Sequence, residues 1–206
     1  AQHGGTLIFG ADNEFAGFET LTSASRLAIN GSIAANTIME PLFRMDAAEN
    51  LIPVLGLDAE QSTDGKAWTV KLRQGVKFHD GTSFNADAVV FSIGRMMKNR
   101  KVKFFGKGWE IPAQERPPEY WVSMEMDDTI DSIEAVDEFT VVFNLCKPDP
   151  AFIAKAAFTP FAIYPQEWLD ANANEANQET LLSAPVGTGA YSLESWNRGD
   201  SIVMQR

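Results

Sequence analysis

Among 206 residues there is one cysteine, Cys146, and there are two histidines, His3 and His79. A single thiol excludes an intrachain disulfide. It lies in the apolar run VVFNLC and is expected to be a buried, inert side chain. Neither an HExxH pair nor a Cys/His cluster of metal-site spacing occurs. His79 next to Asp80 therefore reads as a turn residue with a satisfied hydrogen bond, and no metal is expected. No run of about 18 apolar residues is present, so no membrane-spanning helix is expected. Ala1-Gln2-His3-Gly4-Gly5 reads as the mature end left after removal of a signal peptide. Positive charge is also scarce: 17 Lys and Arg stand against 28 Asp and Glu, a net charge of −11. That balance argues against a nucleic-acid partner, whose phosphates require Lys and Arg.

What is present is most legible between Trp68 and Met96. Trp68, Val70 and Leu72 alternate with Thr69, Lys71 and Arg73, the period of a half-buried strand. Gly75 interrupts it, and Val76 and Phe78 extend to a second break at Asp80-Gly81-Thr82. An Asp-Gly pair suits a turn that needs positive φ. Asn85 is then placed to cap a helix, with Asp87 in its first turn, where the helix dipole favours negative charge. Ala86, Val89, Val90, Ile93 and Met97 recur at helical spacing and predict one apolar face.

On either side the punctuation is clear. Thr6 to Gly10 reads as a short buried strand, followed by a loop rich in Phe and acid. Ser32 starts a helix that Pro41 ends. Leu42 to Met45 is a strand, Asp46 to Asn50 a polar turn, and Pro53 to Glu60 short and mixed. Asp64-Gly65 is a hairpin turn before the Trp68 strand. Lys98 to Lys107 is basic and aromatic, and in an acidic chain reads as a solvated or cleft-lining loop. Ile111 to Tyr120, with three prolines, reads as loop. IDSIEAVDEFTVVFNL predicts a hairpin with Val141, Phe143 and Leu145 on one face. Asp149-Pro150 opens one helix and Pro165 another. Gly187-Thr188-Gly189 lacks the Gly-Lys-Ser/Thr ending of a phosphate loop and precedes a strand, so it reads as a turn. A last hairpin turns at Asn197 to Asp200.

No catalytic constellation emerges. Asp127, Asp128, Asp131, Glu134, Asp137 and Glu138 are not isolated as a pair in an apolar setting, as a glycosidase requires. No G-x-S-x-G elbow holds a serine. The candidate binding residues are aromatic and polar loop residues instead: Phe15 and Phe18 after the first strand, Asn30, Gly31 and Ser32 at a helix start, and Phe104, Phe105 and Trp109 in the basic loop. In open α/β sheets ligands gather beyond strand ends, and helix starts offer free N–H groups. For all eight, core or loop packing is the alternative reading.

LRQGVKFHDGTSFNADAVVFS resembles the signature region of the family 5 extracellular solute-binding proteins of peptide and nickel ABC importers. IMEPLFRMDAAENLIPVLGLDAEQSTDGKAWTVKLR (38–73) and PVGTGAYSLESWNRGDSIVMQR (185–206) resemble the same family, in the same order. The resemblance implies an α/β fold of the type II periplasmic-binding-protein kind. It implies a partial first lobe with an inserted β-rich subdomain: residues 1–42 and 184–206 in the main lobe, 43–183 in the subdomain, and no counterpart of the second lobe. It further implies periplasmic or extracytoplasmic capture of a small solute, an oligopeptide or dipeptide foremost, and delivery to an ABC permease. A monomer without cofactor or catalysis is expected. A ligand-sensing domain of a regulator and a hydrolase remain as alternatives.

Overall fold

The computed structural model describes residues 4–10, 36–97, 99, 101–106, 119–157, 161–172, 180 and 183–206. Its centre is a five-stranded sheet in the order β3-β4-β7-β6-β5. The strands are β3 (Gly56–Gln61), β4 (Ala67–Leu72), β5 (Val102–Lys103), β6 (Ile130–Asp137) and β7 (Thr140–Leu145). All pairings are antiparallel except β5 with β6. A smaller hairpin, β1 (Phe43–Met45) with β2 (Leu51–Pro53), precedes it, and β8 (Ser192–Asn197) with β9 (Ser201–Gln205) follows.

Register explains the core. Trp68 and Ile133 both lie opposite Phe143, and Val70 and Ala135 both lie opposite Val141. Side chains alternate faces along a strand, so these residues share one face. Val70, Leu72, Ile133, Ala135, Val141, Phe143 and Leu145 are all buried there. Helix α1 (Ala86–Gly94) packs against β5, β6 and β7. Its start follows the expected chemistry: extended Asn85 accepts a hydrogen bond from the Ala88 N–H at 3.0 Å. Its packing goes beyond the expected single face, because all nine residues are buried. Most of α1 belongs to the sheet's core, whereas Phe91 belongs to a second cluster with Ile38, Met39, Ala162, Tyr164 and Leu169. A helix covered on both sides is apolar all round.

Residues 36–38 are helical, and four further short helices are α2 (Glu119–Ser123), α3 (Met126–Thr129), α4 (Phe152–Ala156) and α5 (Gln166–Asn172). The α2 turn occupies residues 119 and 120, which the prolines had assigned to loop. The Asp149-Pro150 expectation holds in modified form. Asp149 accepts from the Ala151 N–H at 2.9 Å and pairs with Lys155 at 2.8 Å, and the helix itself starts two residues after proline.

Three expectations are corrected. Residues 6–10 are neither strand nor buried: Leu7 is 93% and Ile8 89% exposed. An apolar run becomes a strand when a neighbour supplies a ladder and cover, and no described residue pairs with this one. Cys146 is exposed. It follows Leu145, the last inward residue of β7, so the alternation turns it outward while its N–H donates to the Thr129 carbonyl at 2.9 Å. Residues 56–61, read as mixed, form a strand, because pairing with β4 overrides the poor strand propensity of GLDAEQ.

Candidate functional site

Two places gather the chemistry-bearing residues. The first is the start of α1. Asp87 is buried, and its two carboxylate oxygens accept the N–H groups of Phe105 at 2.6 Å and Gly106 at 2.9 Å. A charged acceptor makes such bonds stronger than neutral ones. Asp87 thus anchors the end of the basic loop, beyond its favourable place in the helix dipole. Two of the loop's lysines are answered as well: Lys101 pairs with Asp131 at 2.5 Å, and Lys103 pairs with Glu134 on the neighbouring strand β6. The Asp131 carboxylate holds the Lys101 ammonium above its ordinary pKa.

Beside this anchor lies a cavity of about 260 Å³, bounded by Ser83, Asn85 and Asp87, by Phe105 and Gly106, and by Glu138, Gln166 and Glu167. It is smaller than the ~300–1,000 Å³ of drug-sized ligand pockets. Its carboxylates suit a donor or a cation better than an anion.

The second place is built from segments far apart in sequence. Gly187 and Gly189 lie against the backbone of residues 37–38. A Cβ on Gly187 would stand 2.2 Å from the Ile38 carbonyl oxygen, and one on Gly189 would stand 2.3 Å from that of Thr37. The glycines serve close approach. Gly189 N–H donates to the Ile38 carbonyl at 2.8 Å, Tyr191 N–H to that of Thr37 at 3.2 Å, and Thr188 Oγ1 to Glu40 Oε2 at 2.8 Å. His79 closes the other side. Its N–H donates to the Gly187 carbonyl at 2.9 Å, its Nε2 lies 2.8 Å from the Gly189 carbonyl, and its Nδ1 accepts the Gly187 N–H at 3.3 Å. The histidine is satisfied by hydrogen bonds, as the sequence reading expects.

Of the eight candidate binding residues, Phe15, Phe18, Asn30, Gly31, Ser32 and Trp109 lie outside the described residues. Phe104 is half-buried and packs against both apolar clusters. Phe105 is 57% exposed and borders the cavity. Gln166 and Glu167 carry no signal in the sequence and Glu138 is weighed there only as a catalytic carboxylate, and nothing local to them signals that the fold joins them to Asn85. Among the described residues, no group of three His, Cys, Asp or Glu side chains is placed to hold a metal ion, and no helix is long and apolar enough to cross a membrane.

Comparison with known proteins gives this geometry its context. The Escherichia coli (strain K12) dipeptide-binding protein is 31% identical over 207 residues, covering 96% of this chain and 36% of that protein. The Haemophilus influenzae heme-binding protein A is 34% identical over 157 residues, covering 73% of this chain and 27% of that protein. The chain thus spans about a third of the length of the curated relatives it matches. In three dimensions it matches the crystal structure of a dipeptide-binding protein from Pseudoalteromonas sp. SM9913 in complex with Met-Leu. The TM-score is 0.80 at 25% identity, over 94% of this chain and 38% of the other. The fold is accordingly that of a periplasmic binding protein, in part. The family model for bacterial extracellular solute-binding proteins, family 5 Middle, matches residues 50–206, and the chain belongs to that family.

Proposed function

We propose that this chain is part of the solute receptor of an ABC importer, that its cargo is a dipeptide or short oligopeptide, and that it works outside the cytoplasmic membrane as a monomer. The observation that carries the reading is the match, over 94% of the chain, to a protein holding Met-Leu. The 96% coverage against a dipeptide-binding protein supports it. Heme is the competing cargo, from the relative that covers 73% of the chain.

In this reading residues 1–42 and 184–206 belong to a main lobe and residues 43–183 to an inserted subdomain. The bonds joining residues 37–40 to 187–191 support the first assignment, because they tie its two segments together. A second lobe would face the first across a cleft. Solute bridging both lobes would favour the closed state by its differential affinity for it. Backbone hydrogen bonds and ordered water would hold peptides of varied side chains. Phe15, Phe18, Asn30, Gly31, Ser32 and Trp109 are the proposed lining from this chain, with Phe105 at its edge. No bond is made or broken, so neither a hydrolase nor a cofactor is invoked.

The test is a thermal-shift panel on the full-length protein with dipeptides, glutathione, heme and nickel chelates, each recovered afterwards for mass analysis. A ligand at 100 times its Kd stabilises by about 2.7 kcal/mol. Stabilisation by dipeptides recovered intact is expected. Cleaved peptides would overturn the reading in favour of a hydrolase, and stabilisation by heme alone would overturn the cargo.

A further inference from the structure

We propose that His79 is a proton-sensitive pin, whose ring holds the Gly187 N–H at the joint between residues 79–82 and 187–189 only while its imidazole is neutral. The two ring nitrogens face groups of opposite character. Nε2 lies 2.8 Å from the Gly189 carbonyl oxygen, which can only accept; Nδ1 lies 3.3 Å from the Gly187 nitrogen, which can only donate. One form of the ring satisfies both, the neutral Nε2–H tautomer. The Nδ1–H tautomer sets two acceptors against each other at Gly189 and two donors at Gly187. The imidazolium keeps the Nε2 bond but turns an N–H toward the Gly187 N–H.

The ring is exposed, and among the described residues no charged side chain is bonded to it to offset that loss. Glu40, on the segment below Gly189, is engaged by Thr188. Asp80, the next residue in the turn, accepts from the Thr82 N–H at 2.9 Å and the Thr82 hydroxyl at 2.6 Å. Lys77, on the other arm of the turn, adds positive charge there, and its backbone bridges that of Ser83. Among the described residues no carboxylate pairs with the imidazole. Gly187 lies so close to the Ile38 backbone that a Cβ on it would stand 2.2 Å from the Ile38 carbonyl oxygen, so its backbone has little room to swing the N–H to another acceptor. Protonation therefore removes the ring's bond to the Gly187 N–H and leaves in place the His79 N–H bond to the Gly187 carbonyl and the bonds from Gly189 and Tyr191 to residues 37–38. A proton added at Nδ1, the change acidification brings to a histidine ring, is the event that opens this contact.

The experiment uses full-length protein carrying 15N only in histidine and glycine. The ring 15N shifts of His79 report the tautomer, and His3→Ala removes the other histidine in this region. Amide exchange, expressed relative to an unstructured chain at the same pH, reports the joint. At pH 8 the Nε2–H pattern is expected. Between pH 8 and pH 5 the protection of Gly187 should fall about tenfold, the scale of one hydrogen bond, while that of Gly189 changes little. In His79→Asn the side-chain oxygen supplies an acceptor at all pH values, and the Gly187 response should vanish. In His79→Gln, which retains a donor toward Gly189, Gly187 should be weakly protected throughout. An Nδ1–H tautomer, or Gly187 protection unchanged at pH 5, would overturn the proposal.

Discussion

At the scale of single residues, two side-chain facts decide more than their exposure suggests. Gly187 and Gly189 have no room for a methyl group against a rigid backbone carbonyl. Gly187→Ala or Gly189→Ala should therefore cost about 1–3 kcal/mol or more, the range of overpacking, in urea unfolding. Gly75→Ala is a useful contrast, because nothing stands within 4 Å of its Cβ position. Its cost is confined to its left-handed backbone. Asp87 holds two N–H groups with one buried carboxylate. Asp87→Ala should cost about 1–3 kcal/mol, with amide exchange rising most at Phe105 and Gly106. A destabilisation without that local change would contradict the anchor role. The sequence shows Asp87 as a first-turn acid and residues 187–189 as a glycine-rich turn. It does not show what they touch, because the partners lie 18 and roughly 150 residues away, and that distance is closed only by the fold.

At the scale of elements, legibility follows local pattern. The β4, β6 and β7 strands and α1 were readable because alternation, helical spacing and a capping asparagine all pointed the same way. The β3 strand was not, because Asp58 and Glu60 obscure a pattern that pairing with β4 imposes. Residues 6–10 failed in the opposite sense, as an apolar run without a described neighbour. Truncating the core face should be costly: Phe143→Ala removes a ring that packs against Phe152, with centroids 5.2 Å apart, at about 3–5 kcal/mol. Lys103→Ala, breaking an exposed ion pair, should cost under about 1 kcal/mol.

The turns add a dependence on acid. Asn50 holds the Asp46 carboxyl below its ordinary pKa of 3.8, the Ser62 hydroxyl does so for Asp64, and the Phe139 N–H for Asp137. A depressed carboxyl contributes stability that is fully present above the unfolded value and lost as pH falls through the folded one. The hairpins should therefore weaken below about pH 3.8 rather than between pH 5 and 7. Asp64→Asn should flatten that part of the stability profile. A profile unchanged by the substitution would show that Asp64 contributes nothing to it.

At the scale of the whole molecule, the sheet with α1 and the second apolar cluster form one packed body, tied to residues 37–40 through 187–191. Family, fold class and the structural nature of His79 and the glycine motif were readable from three stretches of sequence. Six of the eight candidate binding residues lie outside the described residues, and this chain spans about a third of the length of its relatives. The most direct measurement is a calorimetric titration of the full-length protein with Met-Leu, with heme as the comparison. The account predicts one-to-one binding of the dipeptide with a Kd of about 1 μM or tighter, near −8 kcal/mol, and no comparable heat from heme. Absence of binding by any dipeptide, together with saturable one-to-one binding of heme, would contradict it.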